Sequence, residues 1–319
     1  KHTLGVNHPD YAISLNNLGV LYANMGNYYL SEKYYLEALT LHKNIFGEHH
    51  PDYAMSLNNL GSYYSNIGNY TEAEKYYLEA IEIYKIAFGR THINYATLLN
   101  NLGYIYSMKN DYIQAEKYYL EASEIRKNIF GEHHPGYAMS LNNLGSHYFD
   151  IGNYTEAEKC YLKALDIRKH TLGVNHPDYA ISLNNLGLHY SGISDYSEAE
   201  KYYLEALELQ KNILGESHPN YAVSLNNLGT LYIKLTDYNN AYIPLMQSFN
   251  IQKSLFLSSL NYTTEQERKQ YWKTMQSKFD ETYPIFAYKY HFSNPSISTF
   301  VYDNELFRKG LLLSSSNII

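Results

Sequence analysis

The sequence predicts an all-α fold, an α-solenoid of about six stacked helix pairs ending in a helical cap. Three observations lead there. His8, His50, His92, His134, His176 and His218 are spaced by 42 residues, and so are Gly19, Gly61, Gly103, Gly145, Gly187 and Gly229. An interval of that size marks stacked supersecondary units rather than one globular core. Within each unit the apolar residues recur at helical spacing.

In the unit beginning at Pro51, Leu57, Leu60, Gly61 and Tyr64 share one face, which predicts a first helix over about 52–66. The histidine before the proline can cap this helix, proline suits its first turn, and Asp52 or Asp178 sits at its positive end. Only His92 is followed by isoleucine, Ile93, so a looser junction is expected there. A second helix carries Ala73, Tyr77, Ala80 and Ile81 on one face and Glu72, Glu74, Lys75, Glu79 and Glu82 elsewhere. Asn69 with Glu72, Asn153 with Glu156 and Asp195 with Glu198 have capping-box spacing and place its start. Gly47, Gly89, Gly131, Gly173 and Gly215 follow its basic last turn and are expected as left-handed caps.

The sixth second helix carries Pro244 in a tyrosine slot, so a kink or late start is expected. The array is assigned to residues 1–253. Residues 254–319 form a capping and linker segment, with a helix starting near Thr264 and Glu267 and running to about Tyr290 through Trp272, Phe279 and Phe286. Residues 1–19 recur letter for letter at 169–187. The chain thus starts inside a repeat, and a longer natural protein is expected.

Composition narrows function. The 25 Lys and Arg against 32 Asp and Glu give a net charge of −7 without a basic stripe, which argues against nucleic acid. No apolar run is long enough for a membrane span. A single cysteine, Cys160, excludes an internal disulfide and a CxxC metal framework, and fits a reducing, cytoplasmic setting. No cofactor is expected. The six equidistant histidines cannot converge on one metal ion, because equivalent positions lie a whole repeat apart, so no metal site is expected. Cys160 takes a slot held by Tyr34, Tyr76, Tyr118 and Tyr202 in sister units, where no base or oxyanion site accompanies it. The chain carries no catalytic constellation. Its 38 tyrosines divide between packing, as at Tyr35, and exposure, as at Tyr34.

The spacing Leu60, Gly61, Tyr64, Ala73, Tyr77, Ala80 resembles the tetratricopeptide repeat. Together with "LNNLG", "GNYTEAEKYYLEA" and the Gly to His-Pro linker, it is similar to the kinesin light chain type, over residues 1 to about 250. The resemblance implies a right-handed superhelix. It also implies that an asparagine pair in each first helix faces the concave groove: Asn16 and Asn17, Asn58 and Asn59, Asn100 and Asn101, Asn142 and Asn143, Asn184 and Asn185, Asn226 and Asn227. One turn further lie Val20, Ser62, Tyr104, Ser146, Leu188 and Thr230, of which Ser62, Tyr104, Ser146 and Leu188 are assigned to the groove.

A carboxamide offers two donors and an acceptor, matching a peptide backbone without selecting a side chain. An extended peptide or partner protein is therefore the expected ligand. The alternative is that one asparagine of each pair bonds a neighbouring helix and only orders the array. Family members that clamp a carboxylate use Lys and Arg at positions equivalent to Met55, Asn58 and Asn59, which are neutral here, so that activity is not expected.

The stretch "YDNELFRKGLLL" at 302–313 resembles the junction preceding the caspase-like CHAT peptidase domain of bacterial tetratricopeptide proteins. It implies a regulatory arm in intramolecular contact with a downstream peptidase whose His and Cys lie past Ile319. A passive structural spacer is the third reading.

Overall fold

In each repeat the chain enters its first helix through a histidine cap. In the computed structural model, which describes residues 8–24, 27–259, 283–290 and 297, the first helices are α1 (Pro9–Asn24), α3 (Pro51–Asn66), α5 (Ile93–Met108), α7 (Pro135–Asp150), α9 (Pro177–Gly192) and α11 (Pro219–Lys234). The second helices are α2 (Tyr28–Phe46), α4 (Tyr70–Phe88), α6 (Tyr112–Phe130), α8 (Tyr154–Leu172), α10 (Tyr196–Leu214) and α12 (Tyr238–Ser259), and α13 spans Tyr283–Tyr290. No strand occurs among the described residues. The chain forms two compact units, Lys1–Ser182 and Leu183–Ile319.

The histidine caps are made by ring nitrogen. His50 Nδ1 accepts from Asp52 N at 3.2 Å, and His134 Nδ1 from Gly136 N at 3.0 Å. His92, without a proline, makes the same bond to Asn94 N at 3.1 Å with the same extended backbone, so the looser start expected there is not found in the cap. Second helices start as expected, with Asn69, Asn153 and Asp195 accepting from the N–H of Glu72, Glu156 and Glu198.

Their ends differ from expectation. Gly47 and Gly89 do have positive φ, at 86° and 75°, but their ψ of 171° and −175° is extended rather than left-handed helical. Only glycine occupies that region readily, and here it ends the helix after a single bond from Gly47 N to Lys43 O at 2.9 Å. In the turn within the second to sixth pairs a positive φ recurs at Gly68 and Gly152 and at the non-glycine equivalents Asn110, Ser194 and Thr236.

Within unit 1, each helix packs on the next in sequence from α1 to α8. The glycine of "LNNLG" meets the buried tyrosine of the paired helix: a Cβ on Gly61 would lie 2.5 Å from the Tyr77 ring, and one on Gly103 2.8 Å from Tyr119. The missing side chain thus lets the aromatic ring lie flat on helical backbone. Leu57, Leu60, Ala73, Tyr77, Ala80 and Ile81 are all buried, as their spacing predicted, and each fully buried leucine contributes roughly 1.5–3 kcal/mol. Tyr34, expected to be exposed, is half-buried with its ring stacked on Tyr22 at 5.3 Å. Tyr76 and Tyr118 stack likewise on Tyr64 and Tyr106.

In unit 2, α12 starts at Tyr238, where the other second helices start, and continues through Pro244 to Ser259. The late start expected at Pro244 does not occur. Asp237 caps the helix by accepting from Asn240 N, and Ala241, Leu245 and Phe249 bury the face it shares with α13. That apolar packing offsets the one helical bond that proline removes. Helix α13 covers the end of the array through Phe286, Ala287 and Tyr290, with the Tyr290 hydroxyl donating to Asn239 Oδ1 at 2.9 Å. Thr264, Glu267, Trp272, Phe279 and the 302–313 stretch lie outside the described residues.

Candidate functional site

The asparagines of successive first helices bond one another. Asn101 Nδ2 donates to Asn58 Oδ1 at 3.1 Å, and Asn143 Nδ2 to Asn100 Oδ1 at 2.5 Å. In unit 2, Asn227 Nδ2 donates to Asn184 Oδ1 at 3.2 Å, joined there by the Ser224 hydroxyl at 3.0 Å. The direction is the same in each bond: the second amide of one repeat donates to the first amide of the repeat before it. Asn16 instead donates to Ser56 Oγ at 3.4 Å.

The pairs are graded in depth. Asn16 and Asn184 are buried, Asn17 is exposed, and Asn58, Asn59, Asn100, Asn101, Asn142, Asn143, Asn185, Asn226 and Asn227 lie between. The side-chain oxygens of Asn16, Asn142 and Asn226 are buried without a hydrogen-bond partner. Ser62, Tyr104, Ser146 and Leu188 are all exposed. Five of the sequence-assigned residues converge in unit 1, where a cavity of about 250 Å3 is lined by Ser62, Tyr104, Asn100, Asn101 and Asn143 together with Ser65, Asn66, Tyr77 and Tyr119. No charged side chain lines it. Burial pushes the Tyr77 hydroxyl up to about 12, with Ser62 as its hydrogen-bond partner, so this phenol stays protonated.

Beneath this face runs a buried polar position that sequence reasoning missed. The residue 16 before the first asparagine of the pair is His42, Arg126 or Arg168, and it meets a serine on the next first helix. His42 Nδ1 lies 2.8 Å from Ser56 Oγ, Arg126 Nη1 donates to Ser140 Oγ at 2.9 Å, and Arg168 Nη1 to Ser182 Oγ at 2.6 Å. Where the serine is replaced by Leu98, the partner is Tyr84, which turns its hydroxyl to Asn94. That exchange of serine for leucine was the available signal. Arg126 is 2% exposed, and desolvation lowers its pKa with no carboxylate beside it. Cys160 packs, as Tyr148 does, against the buried cluster of Ala115, Tyr119 and Leu144, and burial pushes its thiol up to about 11, an inert state for a nucleophile.

Among the described residues, no group of three or more His, Cys, Asp or Glu side chains is placed to hold a metal ion. Among them, too, no helix is long and apolar enough to cross a membrane. A family model of the tetratricopeptide repeat matches residues 10–86, 57–128, 94–152, 136–212 and 194–254. The chain belongs to the tetratricopeptide-repeat family. No curated protein matches its sequence. Its array is similar in fold to BtubC (BKLC) from P. vanneervenii, at 20% identity and TM-score 0.58 over 70% of this chain and 89% of that one. A kinesin light chain-type protein with nearly identical TPR-like repeats from Podosopora anserina matches at 21% identity and TM-score 0.53, over 65% of this tetratricopeptide chain and 98% of its own. The apo form of RapI matches at 18% identity and TM-score 0.53, over 82% and 99%. At these identities the likeness is one of fold.

Proposed function

We propose that this tetratricopeptide scaffold binds an extended peptide, or an extended segment of a partner protein, along the asparagine-bearing face of unit 1. One observation carries the reading: each inter-repeat bond occupies one oxygen and one N–H of a pair of carboxamides and leaves the remaining groups unbonded, and three of these amides, Asn100, Asn101 and Asn143, line an uncharged cavity. Amides held in fixed positions can read a backbone with little loss of side-chain entropy. An uncharged lining disfavours ligand carboxylates and ammonium groups, which would lose water without gaining a partner.

The test is selection of dodecapeptides from a displayed random library on the intact chain, followed by titration of the selected peptides against Asn101→Ala with Asn143→Ala. The expected result is at least tenfold weaker binding with unchanged helical circular dichroism. Equal affinity in the variant removes the reading.

A second reading, a regulatory arm for a downstream CHAT-type peptidase, is favoured only by the 302–313 stretch. Genomic sequence continuing past Ile319 into a His and Cys dyad supports it; an immediate stop codon ends it. A cytoplasmic setting suits both readings.

A further inference from the structure

Two properties of the amide ladder restrict which extended conformation fits it. The first is the balance of donors and acceptors. Asn58 and Asn100 each give their oxygen to the next repeat, which leaves both N–H groups of each amide open. Asn101 and Asn143 each retain one N–H and the oxygen. None of the four side chains makes another hydrogen bond among the described residues. Each rung therefore offers three donors and one acceptor group. A β-type peptide presents N–H and C=O in equal number, whereas a proline-rich chain presents carbonyls with almost no N–H.

The second property is spacing. Helices α3, α5 and α7 touch directly through these amides, and helices in contact lie about 8–10 Å apart. In a β-strand, groups on one side recur every two residues, at about 6.6 Å, and then at about 13 Å. In a polyproline II helix they recur every three residues, at about 9.3 Å. Only the second period matches the ladder. Tyr104, 46% exposed beside the amides, adds the aromatic surface on which such a helix packs.

We infer that unit 1 selects a proline-rich segment in the polyproline II conformation, with one backbone carbonyl of every third residue received by the open N–H groups of Asn58 and Asn100. The inference rests on the peptide-binding reading above and specifies its ligand.

The experiment is fluorescence anisotropy with two labelled probes, Ac-(Pro)12-NH2 and a proline-free Ser/Thr/Val dodecapeptide. Each is titrated against the wild-type chain and against Asn58→Asp with Asn100→Asp. The aspartates keep an oxygen for Asn101 and Asn143 but remove four donors, so the inter-repeat bonds survive while the carbonyl contacts do not. Asn58→Met with Asn100→Met removes the same donors without adding charge, should the carboxylates disturb folding. The expected result is tighter binding of the proline probe, with about fivefold loss per substituted position. Preference for the proline-free probe overturns the polyproline II assignment and leaves the peptide-binding reading standing. Failure of both probes, with no peptide selected from the library, overturns both. Proline binding unchanged in the two variants overturns the role given to Asn58 and Asn100.

Discussion

Asn143 donates to Asn100 across the boundary between two repeats, and the bond has a direction. That direction has an experimental signature. Asn100→Asp keeps an acceptor facing Asn143 and is expected to change stability by less than about 0.5 kcal/mol, whereas Asn143→Asp sets a carboxylate against the Asn100 oxygen and costs about 1–2 kcal/mol. Urea melts of the two variants compare them directly. Equal destabilisation would mean that the amides are oriented the other way.

Gly103 lies under the Tyr119 ring with no room for a methyl group. Alanine is the better helix former by about 0.8–1.0 kcal/mol, so a surface glycine would gain from Gly→Ala. Here overpacking wins, and Gly103→Ala is expected to destabilise by about 1–3 kcal/mol. In a Tyr119→Ala background the same change becomes neutral or stabilising. A double-mutant cycle by thermal denaturation reads the coupling; additive effects would refute the close packing.

Thr236 holds φ at 58°, a conformation that Gly68 and Gly152 fill in sister repeats. A β-branched residue is strained there by roughly 1–2 kcal/mol, part of which glycine returns through its larger unfolded-state entropy. Thr236→Gly is expected to stabilise by about 0.5–1 kcal/mol and Gly68→Ala to destabilise by about 1 kcal/mol. Opposite signs at one structural position are the measurable outcome.

Acid weakens the repeat junctions in a sense fixed by burial. His147 is enclosed by Tyr112, Tyr119 and Tyr148, and desolvation holds its pKa below the usual histidine value, against a smaller opposing pull from Glu116 and Asp150. His42 is lowered in the same way, with Asp52 opposing. The folded chain thus binds fewer protons than the unfolded chain as pH falls through about 6.5, and stability declines below that value. His147→Leu, the residue type found at Leu231, is expected to flatten stability against pH between about 7 and 5. An unaltered slope in denaturant melts across that range would exclude His147 as a source.

Much of the architecture was legible because its signals are local. Histidine, proline and glycine mark each helix boundary through their own backbone and ring chemistry, and the leucine, glycine and tyrosine spacing names the packed face. The extended ψ of Gly47 was not legible, since composition reports that φ must be positive and nothing about ψ. Pro244 misled for another reason: tertiary burial of Leu245 and Phe249 outweighs one lost helical bond. At the candidate site, the ordering role that the sequence allowed for one asparagine of each pair is seen as bonds between repeats, made by both members of a pair; ligand contact by their remaining groups is the proposal made above. Arg126 was passed over since a charged residue in one helix says nothing of a serine 14 positions later.

The buried positions His42 with Ser56, Tyr84 with Leu98 and Arg126 with Ser140 make neighbouring junctions chemically distinct although the repeats around them share one pattern of leucine, glycine and tyrosine. Recombination between related repeats can remove one whole repeat, and these pairs decide which such losses leave a foldable protein. Deleting residues 56–97 sets His42 against Leu98 and strands a buried imidazole, while deleting 98–139 sets Tyr84 against Ser140, where a hydroxyl finds a hydroxyl. The first deletion is expected to melt well below the second, so the interior of the array acts as a filter on its own genetic rearrangement.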